Sequence, residues 1–400
     1  MEHDRNQRRK YFILLILIIA GEVIFFLPFL LPRIFRPTIL AVFDITNLQL
    51  GTFFSVYGVI AMVSYVLGGP LADRFPARKL MAVALWLTSV GGFVMVLVPD
   101  RLVLLIIYGL WGFTTIFLFG AALIRATREW GGTGYQGRAF GWLEGGRGAV
   151  AATLGTLTWL VFAKFTIEAQ AADANHSVLK PIQIVILITS IITAATGWLV
   201  WKTVPDSKLL FERDTPGTVL RKILKLLKMP SVWSLSVIII CAYSGYKITD
   251  DFSLYAREVL GFTEVGSAAT GTVALWLRAL VAIIAGFLAD RFTKSGLIAF
   301  AFGFMFLGSL ITGLGILKSI TLISLLNLGF IAIGVYALRT LYFAVLREAG
   351  IPLILTGTAV GIVSFLGYTP EVFMSPWMGH LLDSHPGTAG HRYVFFVLSG

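Results

Sequence analysis

Apolar residues run in long stretches from one end of the chain to the other, separated by short polar turns. About 20 apolar residues in a helix cross a bilayer. That length places spans near 11–35, 49–71, 79–98, 102–126, 138–163, 181–201, 232–256, 266–289, 295–316, 319–344 and 352–379. A twelfth begins at Tyr393 and the chain stops at Gly400, so the last span is expected to be incomplete. The first run follows Arg5, Arg8, Arg9 and Lys10, is too long for a signal peptide and lacks a small-residue cleavage site, so it reads as a retained span. The expected fold class is an all-α integral membrane protein.

Two of the polar turns are copies of each other. Gly69-Pro-Leu-Ala-Asp73-Arg74-Phe75 closes the second span, and Gly286-Phe-Leu-Ala-Asp290-Arg291-Phe292 closes the eighth, 217 residues later. A repeated set of spans ending in the same turn predicts two parallel six-helix repeats, an architecture of transporters. The division falls at 1–202 for the first bundle, 203–230 for a linker and 231–400 for the second bundle.

Composition narrows the class. A mean hydropathy of +0.85 with 13% charged residues excludes an ordinary soluble domain. The formal charge of +11 does not signal nucleic acid here, because Lys and Arg concentrate at the N-terminus, in the turns after even-numbered spans and in the central loop. That asymmetry puts the N-terminus in the cytoplasm. The single Cys241 lies in an apolar run, so no disulfide framework or thiolate metal site is expected. No nucleotide motif suggests a pump, and neither cofactor, metal nor enzymatic activity is expected. In the central loop, Leu220, Ile223, Leu224 and Leu227 share one helical face while Arg221, Lys222, Lys225 and Lys228 fall largely on others. This pattern predicts a helix on the cytoplasmic leaflet, drawn to anionic lipid.

The paired Gly-x-x-x-Asp-Arg turns, the six-plus-six plan and the basic linker resemble the major facilitator superfamily over essentially the whole chain. Pro76 stands where the family's first turn often has Gly. The resemblance implies a twelve-helix transporter working by alternating access. In such a bundle the second span packs near the eleventh and the eighth near the fifth. Asp73 and Asp290, at helix C-termini where a carboxylate is disfavoured, then need partners across the bundle. Arg125 and Arg339, the same Arg 214 residues apart, are the expected cations, and with Arg74 and Arg291 they make a two-fold latch closing the cytoplasmic side.

Substrate chemistry is read from charges too deep to set topology. Glu22, Arg147 and Arg278 all lie roughly 15–18 Å from the cytoplasmic edge at 1.5 Å per residue. Ions at that depth cost about 2.5–3.5 kcal/mol each and must face a cavity and one another. Two guanidinium groups from opposite halves suit a phosphate, sulfonate or carboxylate. The fifth and eleventh spans share Gly-x-x-x-Gly at one offset, Gly137 and Gly141 against Gly357 and Gly361, which reads as close packing. Glu144 and Arg147 sit on that frame in one copy only, either as part of a binding site or as a self-neutralising i,i+3 pair. Lys247, near Tyr243 and Tyr246, has Asp250 and Asp251 at i+3 and i+4, either as its holders in the empty site or as solvated charges at the outer rim. Glu22, a turn from Phe25 and Phe26, and Glu371 after Pro370 are the candidate proton carriers.

The stretch Leu123-Ile-Arg125-Ala-Thr-Arg128-Glu-Trp130 through Gln136-Gly137-Arg138 to Gly145-Gly146-Arg147-Gly148 resembles a bacterial subgroup near the organophosphate:phosphate antiporters and nitrate/nitrite porters. The implied function is secondary transport of a small anionic metabolite across the bacterial cytoplasmic membrane, with Arg147, Arg278, Lys247, Glu144 and Tyr243 binding substrate. The implied partners are that anion, protons or a counter-anion, and membrane lipids, with the chain acting as a monomer. Two rival readings stand beside it, a lipid flippase on the same fold and a non-transporting membrane ligand sensor.

Overall fold

The computed structural model describes residues 2–131, 136–171, 178–206, 216–317, 320–346, 348–352 and 355–400; within these, the side chains of 2–6, 66–73, 136–138, 140, 216–220, 356 and 357 are outside the described set. Ten helices among the described residues are long and apolar enough to cross a membrane. The second span is Asn47–Arg74, the third Ala77–Val96, the fifth Gln136–Ala171 and the sixth Leu179–Thr203. In the second half, the eighth is Glu264–Arg291, the ninth Lys294–Leu314 and the tenth Thr321–Leu341. The eleventh is broken into Thr356–Gly367 and Pro370–Ser384, and a helix Thr388–Leu398 follows.

Helix ends follow local chemistry. Asp100 caps the fourth span by accepting from the Val103 amide at 3.0 Å, and Thr263 caps the eighth by accepting from Gly266. Gly315, at φ +71°, ends the ninth in the left-handed conformation that glycine adopts without strain.

The first and seventh spans are interrupted. The first runs helically over Glu2–Val23, passes through a π-turn at Phe26–Leu30 and continues as the short helices Leu31–Ile34 and Arg36–Val42. Pro28, Pro32 and Pro37 fall in this stretch, and each removes a backbone donor from the helix ladder. The seventh runs over Pro230–Lys247, tightens to a 3₁₀ turn at Ile248–Asp250 and resumes over Phe252–Glu258. The fourth also carries a π-segment, Phe113–Gly120, between Arg101–Gly112 and Ala121–Gly131.

The linker helix, Pro216–Leu227, packs against the seventh and eleventh spans. Its apolar face differs from the expected one: Leu226 is fully buried, whereas Leu224 is exposed. Leu220 lies outside the described side chains.

As expected, the second span packs on the eleventh and the fifth on the eighth. For brevity, the end that carries the N-terminus and the turns after even-numbered spans is the basic end, and the other the far end. One apolar cluster at the far end joins the halves, combining Ile34, Phe35 and Phe162 with Ala268 and Leu275 of the eighth span. At the basic end the cluster around Leu17, Met81, Leu85 and Leu123 draws buried residues from the first half alone.

Candidate functional site

Two groups of buried charges occupy the space between the halves. The first is centred on Glu22. Its carboxylate accepts from Arg278 Nη1 at 2.8 Å and from Arg147 Nε at 3.1 Å, and Arg147 Nη1 also donates to Glu144 at 2.9 Å. The sequence reading placed all three deep charges at one level, and the structure brings them together. It corrects the surroundings of Glu22, which is held by two guanidinium groups from the fifth and eighth spans and not in an apolar pocket. Glu144 and Arg147 are an ion pair, but not a self-contained one, because Arg147 also holds Glu22.

The second group links the first, seventh and eleventh spans. Lys247 Nζ lies 2.8 Å from Asp250 and 3.0 Å from Glu371. The Tyr243 hydroxyl donates to Glu371 Oε2 at 2.6 Å. Asp250 accepts from Arg33 Nε at 2.7 Å, and Arg33 Nη1 reaches the Tyr246 hydroxyl at 2.6 Å. Asp250 and Asp251 are therefore not solvated rim charges: both are buried, and Asp251 pairs with His391 at 2.7 Å and not with Lys247. His391 bridges onward to Glu258 at 3.1 Å.

Further out, the far end is closed by polar contacts between the halves. Asp383 of the eleventh span accepts from the backbone amides of Asn47 and Leu48, at 3.0 and 2.8 Å, and so caps the second span from the other half. Arg36 donates to Asn47 Oδ1 at 3.0 and 2.9 Å and to the Asp250 carbonyl. Thr38 donates to Glu264, and Ser253 to the Arg33 carbonyl, each at 2.8 Å. Backbones touch here: a Cβ on Gly51 would strike the Ser375 carbonyl, and one on Gly379 the Asn47 carbonyl.

The basic end is different. A Cβ on Gly141, Gly145, Gly286 or Gly361 would meet nothing within 4 Å. The close packing expected of Gly141 and Gly361 is thus absent in this conformation, and their partners Gly137 and Gly357 lie outside the described side chains. Among the described residues, the ion pairs Arg125–Glu129, Arg78–Asp206 and Lys294–Glu348 at this end lie within one half or reach the linker. The second copy of the expected latch, at Asp290, Arg291 and Arg339, is not formed among the described residues. Asp290, Arg291 and Arg74 are exposed and make no ion pair among the described residues, and Asp73 lies outside the described side chains. Arg125 does sit beside the first turn, donating to the Phe75 carbonyl at 3.5 Å. Arg339 does not sit at the second turn. Its guanidinium carbon lies 4.1 Å from the Tyr246 ring centre, inside the space between the halves.

Arg33, Arg36, Asp383 and His391 escaped the sequence reading. One signal for Arg33 was present: Asp250 is 217 residues away, the same offset that relates the two copied turns. Residues equivalent in two repeats meet only near the pseudo-two-fold axis, so an acid and a base at equivalent positions form a natural axial pair.

A membrane-embedded pair of six-helix repeats, closed at one end around a buried charge cluster, defines an alternating-access type of fold. The sequence matches the Major Facilitator Superfamily model over residues 11–370, and the chain belongs to that family. It is 29% identical to the inner membrane protein YqcE of Escherichia coli K12, over 99% of this chain and 92% of the relative. It is 25% identical to the inner membrane protein YihN of the same organism, over 98% and 92%. With these relatives and ten apolar spans among the described residues, it is a multi-pass inner-membrane protein. Among solved structures, a bacterial homologue of the human lysosomal transporter Spinster, in an inward-facing and unoccupied conformation, superposes with a TM-score of 0.73 at 15% identity, covering 98% of this chain and 94% of that one. The inward-open xylose transporter XylE of E. coli gives 0.73 at 14%, over 98% and 95%. The nucleoside transporter NupG gives 0.68 at 13%, over 98% and 96%.

Proposed function

We propose that the protein is a secondary transporter that moves a small organic or inorganic anion across the inner membrane by alternating access, and that the basic end faces the cytoplasm. The observation that carries this reading is the convergence of Arg147 and Arg278, from opposite halves, on the single buried carboxylate of Glu22. Charged groups held at midplane depth are costly and belong to substrate or ion pathways. An anion entering from the open end competes with Glu22 for the two guanidinium groups. Because the two belong to different halves, that exchange changes how the halves are held together.

The conformation supports the same reading. The far end is bridged by Arg33–Asp250, Thr38–Glu264 and the Asp383 cap, while the glycines of the basic end face open space. In the alternate state Asp73, Arg74, Asp290, Arg291 and Arg125 close the basic end. Coupling uses Glu371: a proton there weakens its hold on Lys247 beside Gly58 of the second span, at the boundary between the halves. A flippase would be favoured by a Glu144–Arg147 pair tied only to itself, and that condition is not met.

The test is thermal stabilisation of the purified protein by a panel of phosphorylated, sulfonated and carboxylated metabolites, inorganic anions, cationic drugs and lysophospholipids. A ligand at 100 times its dissociation constant adds about 2.7 kcal/mol. Stabilisation confined to anions and lost in Arg278→Gln is expected. Stabilisation by lysophospholipids or cations alone would contradict the reading.

A further inference from the structure

We infer that Arg339, set in a ring of tyrosines, engages the substrate as a third cation beside Arg147 and Arg278, and that the substrate is an organic monoanion with a hydroxylated or ring-shaped body. The inference rests on the anion-transport reading above and adds which residue binds and what the ligand looks like.

The buried cations differ in how they are paired. Arg147 and Arg278 share Glu22, Arg33 holds Asp250, and Lys247 lies between Asp250 and Glu371. Arg339 has no carboxylate partner among the described residues, and its buried Nη1 makes no hydrogen bond. An unpartnered buried donor on a cation is costly and calls for an explanation. What surrounds it is aromatic. The guanidinium lies over the Tyr246 ring, which neighbours Tyr243 at 5.6 Å between centroids, and Tyr243 in turn neighbours Tyr368 at 4.9 Å. The cation–π contact offsets part of the desolvation cost and leaves the fork of N–H groups free.

Charge points the same way. Among the described residues, Arg147 and Arg278 are matched by Glu22 and Glu144, and Lys247 and Arg33 by Asp250 and Glu371, which leaves Arg339 unmatched at the centre; Arg36, further out in the seal, is satisfied by Asn47 and the Asp250 carbonyl. The centre therefore carries one positive charge in excess, which one monoanion neutralises. Arg339 and Arg33 of the other half lie over the same Tyr246 ring, 4.1 and 4.6 Å from its centre, so Arg339 stands at the boundary between the halves.

The body of the ligand is read from the tyrosines. The Tyr342 and Tyr368 hydroxyls lie 3.2 Å apart and engage each other. Tyr65 of the second span faces the Tyr368 ring across the boundary between the halves, with centroids 6.2 Å apart. Paired hydroxyls that can turn towards a guest, with flat ring faces around them, suit a polyol or a ring; an inorganic anion would accept from the hydroxyls but leave the ring faces uncovered. Tyr246 also accepts from Arg33, so a ligand that draws Arg339 off this ring acts on a residue bonded to the far-end seal.

The experiment compares purified full-length wild type with Arg339→Gln, Arg339→Lys and Tyr342→Phe, reading thermal midpoints with gluconate, 4-hydroxybenzoate, chloride and glucose. Gluconate or 4-hydroxybenzoate should stabilise the wild type, and chloride and glucose should not. Arg339→Gln should weaken that effect at least about tenfold, Arg339→Lys should restore part of it, and Tyr342→Phe should reduce the response to the stabilising anion. Without ligand, Arg339→Gln should melt at or above the wild-type midpoint, because it removes an unpaired buried charge. A lower midpoint makes Arg339 structural and overturns the proposal. Organic-anion binding that survives Arg339→Gln within about twofold overturns it while leaving anion transport standing. Stabilisation by chloride alone overturns the ligand class, and no response to any anion overturns both readings.

Discussion

The two ends of the molecule are built from the same repeat and held in different ways. At the far end the halves share an apolar cluster, touch backbone to backbone at Gly51 and Gly379, and exchange hydrogen bonds through Arg33, Arg36, Thr38 and Asp383. At the basic end, among the described residues, the first half keeps its own core and the ion pairs stay within one half or reach the linker. The contrast teaches that the seal combines apolar packing with polar bonds that can be released. Apolar packing alone would hold the halves without a handle for a ligand or proton, whereas a seal hung on Asp250 and Glu371 opens when their charges are met elsewhere.

The largest effect is expected from breaking charge clusters that join the halves. Glu22→Gln leaves Arg147 and Arg278 buried without their shared carboxylate and should cost about 3–5 kcal/mol, measured as loss of unfolding free energy in detergent. Glu22→Leu with Arg278→Met should recover much of that stability while abolishing anion binding. Next comes the far-end pair. Arg33→Gln and Asp250→Asn should be strongly non-additive, with a coupling of about 1–3 kcal/mol in a double-mutant cycle, because their side chains meet at 2.6 Å.

Glycine substitutions sharpen the comparison at smaller scale. Gly51→Ala or Gly379→Ala pushes a methyl group into a backbone carbonyl and should cost about 1–3 kcal/mol. Gly145→Ala or Gly361→Ala meets open space and should be neutral or stabilising by up to about 1 kcal/mol through helix propensity. Equal costs at the two ends, read from melting curves, would contradict the open basic end.

The smallest effect is a pH dependence in a loop of the basic end. Glu348 accepts from the backbone amides of Lys294 and Ser295 at 3.0 Å each, and these bonds hold its carboxyl below the ordinary glutamate value. A lowered value means that its contribution is present at neutral pH and above. It is lost as pH falls through the depressed value, where the carboxyl takes up a proton and stops accepting. Glu348→Gln should therefore lower stability slightly at neutral pH, leave the acid end nearly unchanged and so flatten the acid limb of the stability curve.

Much of the architecture was legible in the sequence because bilayer thickness fixes span length and because the copied turns at Asp73 and Asp290 reveal the repeat. The depth of Glu22, Arg147 and Arg278 was likewise legible from spacing, and their pairing follows from which spans pack together. The breaks in the first and seventh spans were not, since π- and 3₁₀ turns leave no length signature. Those breaks turn Asp250 inward where a straight helix would carry it to the rim. Arg339 was misplaced for a related reason: the tenth span ends at Leu341, before the basic edge, so a residue near its terminus by count lies over Tyr246 inside the bundle.

The central claim is that the halves exchange closure between the two ends around the buried cations. It is tested most directly by spin-label distances in one sample, with one pair at the far end, Leu102→Cys and Leu322→Cys, and another at the basic end, Arg128→Cys and Arg291→Cys. In the Asp250→Asn background, where the seal is weakened, the account predicts that the far-end distance lengthens while the basic-end distance shortens. Two distances that stay fixed, or that lengthen together, would contradict it.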